Sequence, residues 1–166
     1  MYQVTLIDSK KQLEGELKAA CDGFIALATQ LAVGPLLALL RDLGPWTAAQ
    51  RGLGRGRKPP QLRLQKCGNP ARVAAVLADV RARMAESLGL LLSQMRAYLD
   101  NTVTQTILYR PVRNAIASGT AEVESVITTL QGYSQVEVDA IAAALRIVEA
   151  EALVQEKEIA GAGQQE

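Results

Sequence analysis

Apolar residues recur every three or four positions along most of this chain, and no other feature restricts its fold as much. The first run consists of Leu13, Leu17, Ala20, Phe24, Leu27 and Leu31. Because an α-helix has 3.6 residues per turn, side chains at these intervals lie on one side of a helix. The apolar residues are mostly Ala, Leu and Val, and only 4% of the chain is aromatic, which also favours helices over sheets.

The boundaries of the first helix are predicted from its capping residues. Ser9 and Gln12 have the spacing of a capping box, in which two side chains satisfy free backbone groups at a helix start. Pro35 should bend the helix because proline lacks a backbone N–H. Gly44 and Pro45 should then end it.

A second long helix is predicted to begin at Asn69, with Pro70 at the first helical position, where a missing N–H costs nothing. Its apolar side consists of Val73, Leu77, Val80, Met84, Leu88, Leu91, Met95 and Tyr98. The pattern breaks over residues 100–104. We therefore expect a short helical turn over residues 103–109 and a new start at Pro111, because the residue before a proline disfavours the α conformation.

Two further helices follow. The third has an apolar side of Val112, Ile116, Val123, Ile127 and Leu130. Gly132 should close it in a left-handed conformation. Ser134 and Glu137 form another capping box and should open the fourth helix. Its apolar side consists of Val138, Ile141, Leu145, Val148 and Ala152. The tail over residues 159–166 is expected to fray.

These patterns predict a single all-α domain over residues 1–166, folded as an antiparallel bundle of four to five helices. A helical-repeat array of two hairpins needs the same apolar faces and differs only in stacking. The uncharged stretch over residues 23–40 reaches the lower limit for a membrane-spanning helix. The stretch also contains the polar residues Thr29 and Gln30, as well as Gly34 and Pro35. These residues and its amphipathic period favour a buried bundle helix instead.

Charge is distributed unevenly along the chain. Residues 44–69 form a predicted basic loop, rich in Gly and Pro, that contains no acid. From residue 120 onward, acidic residues greatly outnumber basic ones. The folded bundle could therefore bring halves of opposite charge together. Charged residues such as Asp8 and Lys10 occupy the place of a secretory signal's apolar core, which predicts exposure to the cytosol.

The basic loop is one candidate binding site. The residues proposed to contact a polyanion are Arg55, Arg57, Lys58 and Arg63. Such a segment can attach to RNA or acidic lipid through electrostatic attraction. It lacks the Gly-Lys-Ser/Thr ending of a nucleotide-binding loop, and no aromatic residue supports base stacking between Leu53 and Tyr98. A solvated linker is the favoured interpretation.

Catalytic and metal-binding chemistry has little support in this sequence. The chain contains no histidine, which removes the commonest general base and the commonest metal ligand. Carboxylate pairs such as Glu149 and Glu151 lie two residues apart, on different sides of a helix, so they cannot hold a metal jointly. Cys21 and Cys67 lack the spacing of a zinc or redox site and are expected to be reduced structural thiols. We therefore predict a protein that is not an enzyme and has no metal or cofactor.

The helix junction over residues 104–114 is the other candidate site. The candidate partner-binding residues there are Ile107, Tyr109, Arg110, Pro111, Arg113 and Asn114. Aromatic and guanidinium groups dominate protein interfaces, which favours a contact surface. Equally, Leu108 and Tyr109 could fill the core while the arginines cap a helix end. Both interpretations stay open at this point.

This junction also carries a family resemblance. MRAYL at residues 95–99 and TILYRPVRN at 106–114 resemble the C-terminal region of the third subunit of the conserved oligomeric Golgi complex. QLEGELK at 12–18 and GPL at 34–36 are similar to the same region, in the same order. The resemblance covers roughly residues 12–130. It implies a helical fold like the stacked C-terminal bundles of multisubunit vesicle tethers.

The resemblance implies a non-catalytic subunit of a Golgi vesicle-tethering complex that acts in intra-Golgi retrograde transport. Its expected partners are other subunits of the complex and trafficking proteins, with peripheral membrane association on the cytosolic face of the Golgi. Neither nucleic acid nor a small-molecule substrate is expected. The alternative is a helical adaptor that binds RNA or acidic membrane through the basic loop.

Overall fold

The computed structural model describes residues 2–52, 61–129 and 132–161, with side chains described for residues 8–48, 61–129 and 132–161. The helices are α1 (Tyr2–Gly52), α2 (Pro70–Arg83), α3 (Gly89–Tyr98), α4 (Thr102–Thr129) and α5 (Gln135–Gly161). A π-helical turn, Met84–Leu88, joins α2 to α3, and a 3-10 turn, Leu62–Leu64, precedes α2. Within the described ranges there is no strand, so the all-α prediction is confirmed.

The helices form two antiparallel hairpins that stack side by side. α1 pairs with α2 in one hairpin, and α4 pairs with α5 in the other. Between the hairpins, α1 packs against α4 and α2 packs against α5. Two ion pairs show that the α2 and α5 segments run parallel. Arg63 contacts Glu137, and Arg81, further along the chain, contacts Glu151, which is also further along. The predicted all-α helical bundle is therefore confirmed, with parallel as well as antiparallel neighbours.

One apolar core lies between the two hairpins. Its largest fully buried side chains include Leu36, Leu39, Leu43, Met84, Tyr109, Ile116, Leu145 and Ile159. The predicted apolar sides of the third and fourth helices are buried at Val112, Ile116, Val123 and Ile127, and at Ile141, Leu145, Val148 and Ala152. Leu130 lies outside the described residues.

The predicted ends of the first helix are wrong. α1 begins at Tyr2, and the Gln12 side chain donates to Glu16 Oε1 at 3.1 Å instead of capping a helix start at Ser9. At the other end, α1 continues through Pro45 to Gly52. Core contacts on both sides offset the missing N–H of proline, because Leu43 before Pro45 is buried and Trp46 after it is partly buried against the core. Residues 44–52 are therefore helical, and residues 53–60 of the predicted loop lie outside the described ranges.

The predicted break at Pro111 is also wrong, because α4 passes through this residue without interruption. An internal proline costs a helix about 3 kcal/mol. Leu108 and Tyr109 before it, and Val112 and Ile116 after it, are all buried in the same core. Burial of a large apolar side chain contributes about 1.5–3 kcal/mol, so the side chains on both sides hold the helix together.

The π turn changes which residues of α3 face inward. Leu88, Leu92 and Met95 are buried, whereas the predicted Leu91 is only partly buried. A π turn closes i→i+5 hydrogen bonds, so it takes up one residue more than an α turn and rotates the following helix accordingly. Tyr98, also predicted on the apolar side, is 86% exposed.

Two predicted caps are confirmed. Asn69 accepts a hydrogen bond from the Ala71 N–H at 2.9 Å, with Pro70 beginning α2. The Ser134 backbone N–H donates to Glu137 Oε2 at 2.8 Å, and the Glu137 N–H donates to Ser134 Oγ at 3.3 Å. Gly132 has a positive φ of +121°, which favours glycine, but residues 130 and 131 between it and the end of α4 lie outside the described ranges, so its role in closing the helix stays a prediction.

α1 also contains a stretch, Asp8–Ala48, that is long and apolar enough to cross a membrane by length and composition. A core helix of a globular protein passes the same test. In the fold, the core-facing residues of this stretch are Ala28, Ala32, Val33, Leu36, Leu39 and Leu43. This burial agrees with the predicted bundle helix.

Candidate functional site

Tyr109, at the centre of the recognised motif, lies in the core with no exposed surface. Its hydroxyl is 3.1 Å from the Ala152 carbonyl oxygen and 2.9 Å from Gln155 Oε1, so its one proton can be donated to either acceptor on α5. Burial raises the pKa of the Tyr109 phenol well above its ordinary value, and the nearby Glu156 carboxylate adds to this effect. The hydroxyl therefore stays protonated and serves as a structural donor.

The same hydrogen-bond network reaches the π turn. Gln155 Nε2 donates to the Met84 carbonyl oxygen at 3.1 Å, while its Oε1 accepts from Tyr109. A π turn disturbs the regular ladder of backbone hydrogen bonds, so an additional donor to its first carbonyl stabilises it. One amide side chain on α5 therefore connects α4 to the junction of α2 and α3. Sequence reasoning missed Gln155, because nothing in the sequence pairs it with residues 46 and 71 positions away.

The predicted partner-binding residues are divided between two environments. Ile107, Arg110, Pro111 and Asn114 are exposed, and Ile107 has 60% of its surface accessible. Since Ile107, Arg110 and Asn114 are spaced by three and four residues, they lie on one outward side of α4. We call these four residues the α4 face. Tyr109 lies behind this face, inside the core.

Arg113 lies at the seam between α4 and α5. Its Nε atom is 3.0 Å from Glu156 Oε2, and its Nη2 atom donates to Asn114 Oδ1 at 2.8 Å. Only 30% of the Arg113 side chain and 21% of the Glu156 side chain are exposed, so this pair is the least solvated ion pair among the described residues. Arg113 is thus bound within the chain and orients Asn114 on the α4 face.

Arg63 is the one candidate polyanion contact that lies within the described residues. Its guanidinium holds both carboxylate oxygens of Glu137, with Nε 3.0 Å from each and Nη2 2.8 Å from Oε1. The hydrogen bonds from Arg63 and from Ser134 lower the pKa of the Glu137 carboxyl to about 2. Arg55, Arg57 and Lys58 lie outside the described residues.

The low pKa of Glu137 predicts an acid-sensitive contribution to stability. Its ordinary pKa is 4.5, so the contribution is fully present above that value and is lost as pH falls through the folded-state pKa of about 2. We expect wild type to be more stable than Glu137→Gln at pH 6, with the difference shrinking toward pH 2. Urea denaturation across this pH range measures it. When Arg63 is already replaced by methionine, Glu137→Gln should change the stability much less. A stability difference between wild type and Glu137→Gln that does not depend on pH would contradict the assignment.

Acidic residues of α5 connect this helix to the rest of the fold. Arg81 pairs with Glu151 at 2.6 Å, Arg96 with Glu158 at 3.9 Å, and Thr120 donates to Glu149 at 2.5 Å. The expected attraction between the two halves therefore exists at Arg63. It also involves arginines outside the basic segment, which the sequence did not single out.

Two of the open grooves on the described surface have mainly apolar walls. The larger, about 700 Å³, runs between the π turn and α5 and is lined by Met84, Ala85, Val154 and Gln155 among others. The smaller, about 360 Å³, runs between α1 and α3 and is almost entirely apolar. Its walls include Leu17, Phe24, Leu91, Met95 and Tyr98. We call it the α1–α3 groove. Sequence reasoning had placed these side chains on the inner helix seams.

Among the described residues, no group of three or more His, Cys, Asp or Glu side chains is arranged to hold a metal ion. Cys21 and Cys67 are free thiols, each partly buried. The described surface thus presents an exposed helix face and an apolar groove, the kinds of surface that bind other helices. Together with the fold, this places the chain among all-α helical domains built from stacked hairpins.

Comparison with known proteins identifies the family. Residues 16–157 match the COG3 C-terminal cap domain, and the chain belongs to this family. It is 31% identical to conserved oligomeric Golgi complex subunit 3 of Drosophila melanogaster over 134 residues, and 33% identical to the Homo sapiens subunit over 110 residues. These alignments cover 78% and 66% of this chain, but only 15% and 13% of the relatives. No solved structure matches the chain.

Proposed function

We propose that this chain serves as the non-catalytic cap domain of a subunit in a Golgi vesicle-tethering complex that acts in intra-Golgi retrograde transport. The observation that carries the proposal is the match of residues 16–157 to the cap domain of a Golgi complex subunit. The absence of histidine agrees with a role without general acid–base chemistry. In this proposal the domain needs no cofactor and no small-molecule substrate.

The α4 face is the surface we propose for binding other subunits of the complex or trafficking proteins. Ile107 supplies an exposed apolar side chain, and Arg110 supplies a guanidinium close to it. Arginine is enriched at protein interfaces, and the buried centre of an interface is more apolar than the rest of the surface. Tyr109 and Arg113 would support the face from within the fold, as positioning residues. Through its partners, the domain would be held peripherally on the cytosolic face of Golgi membranes.

Co-purification tests this proposal. A tagged full-length subunit carrying this domain should recover other subunits of the complex and fractionate with Golgi membranes. Ile107→Asp combined with Arg110→Glu should reduce that recovery, whereas Val136→Asp, at a residue 78% exposed on α5, should not. Circular dichroism checks that both variants keep their helix content. If the wild-type subunit recovers no other subunit, the tether proposal fails. If the wild type recovers its partners and the α4-face variant recovers them equally well, the proposed face fails.

Polyanion binding by the basic segment stays a prediction with its own test. Because Glu137 holds Arg63, attachment would depend mainly on Arg55, Arg57 and Lys58. Binding to acidic vesicles or RNA should weaken steeply with added salt and should be lost when those three residues become alanine. Binding that is unchanged in the triple variant would refute the prediction.

A further inference from the structure

α1 extends well past the end of the bundle. At 1.5 Å per residue, its 51 residues span about 77 Å, whereas the 28 residues of α4 span about 42 Å. Every described side chain from Asp8 to Ala20 is exposed. Among them, Leu13 and Leu17 are 67% and 66% accessible, on the side of the helix that leads into the core. This end of α1 therefore presents an apolar stripe with nothing packed against it in the described fold.

The stripe continues directly into the α1–α3 groove, because Leu17 belongs to both. Phe24 follows along α1, and Leu91, Met95 and Tyr98 form the opposite wall. Gln94 is the one amide side chain in this lining. Together, the stripe and the groove form a connected apolar surface. Extended apolar surfaces of this kind mark interaction sites in folded proteins.

The π turn accounts for the opening of this groove. Up to Met84, the inward residues alternate in steps of four and three, but Met84, Leu88 and Leu92 follow in steps of four. The additional residue rotates α3 relative to α2. α2 packs along α1, whereas α3 has hardly any close contact with it. The α1 and α3 walls therefore separate at this end of the bundle.

We propose that a helix from the part of the subunit that precedes the cap in the longer relatives packs against the Leu13–Leu17 stripe and the α1–α3 groove. The alignments cover 15% or less of those relatives, and the matched domain is their C-terminal cap, so the remaining chain lies on its N-terminal side. The uncovered surface lies at the N-terminal end of α1, where that chain would meet the cap. The proposal rests on family membership and does not depend on the tethering function.

The charges around the stripe indicate the chemistry of the occupant. Lys10, Glu14, Lys18 and Asp22 alternate in sign at four-residue intervals along α1. They suit an amphipathic helix that has an apolar stripe and charges of both signs beside it. They also disfavour burial of this part of α1 in a membrane, because ionised side chains are costly in the hydrocarbon core of a bilayer.

A photo-crosslinking experiment tests the proposal in a complete subunit. This chain replaces the matched region of the Drosophila melanogaster subunit, and benzoylphenylalanine is incorporated in place of Leu17. Illumination should produce a crosslink within the same polypeptide, which peptide mass spectrometry should map to a segment preceding the cap. Benzoylphenylalanine in place of Val136, which is 78% exposed and lies on α5, should not crosslink to that segment. The same subunit is tested in parallel for co-purification with the complex.

Each other outcome at Leu17 overturns the proposal. Crosslinks to a second copy, to another subunit or to lipid would each assign the surface to a different occupant. The absence of any crosslink would mean that the surface has no occupant. Co-purification of the complex without the internal crosslink would refute this inference alone. The crosslink without co-purification would uphold it while refuting the tether function. Leu17→Asp gives a second readout, because it should increase protease cleavage of the preceding segment, whereas Val136→Asp should not.

Discussion

Replacing Tyr109 by alanine is expected to lower the free energy of unfolding by about 3–5 kcal/mol, the usual range for truncating a buried aromatic side chain. Tyr109 has no exposed surface, so its removal leaves a cavity between α4 and α5. It also removes the hydroxyl donor to Gln155 and Ala152. Because Gln155 holds the π turn at Met84, the loss should extend to the position of α3.

Urea denaturation followed by circular dichroism measures this effect. Tyr109→Phe separates the hydroxyl from the ring, and losing a buried donor should account for about 1–3 kcal/mol of the total. Tyr98→Ala is the matched control, since that tyrosine is 86% exposed and its removal should change stability by about 0.5 kcal/mol or less. Equal effects at Tyr98 and Tyr109 would contradict the core assignment.

Replacing Gly68 by alanine is the second change with a large expected effect. A Cβ at Gly68 would lie 2.8 Å from the Leu62 carbonyl carbon and closer still to the Leu62 carbonyl oxygen and Cγ. Leu62 is fully buried in the 3-10 turn, and the Tyr133 hydroxyl donates to the Gly68 carbonyl oxygen. Backbone atoms on both sides must therefore move. We expect destabilisation of about 1–3 kcal/mol, as for other overpacked sites.

The control for this substitution is Gly23→Ala. A Cβ there would meet nothing within 4 Å, and Gly23 lies inside α1. Alanine is favoured over glycine in a helix by about 1 kcal/mol, so this variant should be slightly more stable than wild type. Thermal or urea unfolding of the two variants should move in opposite directions. A neutral result at Gly68 would show that the turn over residues 62–68 is not packed as described.

Much of the helical fold was predictable from local patterns. Val73, Leu77 and Val80 in α2, like Ile141 and Leu145 in α5, are buried as their spacing predicts. The caps at Asn69 and at Ser134 with Glu137 form as their spacing predicts, because each satisfies backbone groups within three residues of itself. The family assignment from MRAYL and TILYRPVRN is confirmed by the match over residues 16–157.

The candidate site was predictable only in part. The motif around Tyr109 was identified correctly as distinctive, but the spacing could not show that Tyr109 faces the core while Ile107 and Arg110 face outward. A helix break was predicted at Pro111, directly after these residues, and it would have changed their orientation relative to the following helix. The apolar α1–α3 groove was missed because Leu17 and Tyr98 have the spacing of core residues and yet remain exposed.

The sequence by itself determined the apolar sides of the helices and the caps between them, since these depend on periodicity and on hydrogen bonds between near neighbours. Only the tertiary structure decided the continuation of α4 through Pro111, the rotation of α3 after the π turn, and the exposure of the N-terminal end of α1. Each of these depends on contacts between residues far apart in the chain. Burial on both sides of Pro111 outweighs a local helix penalty, and α1 stays uncovered where the second hairpin ends.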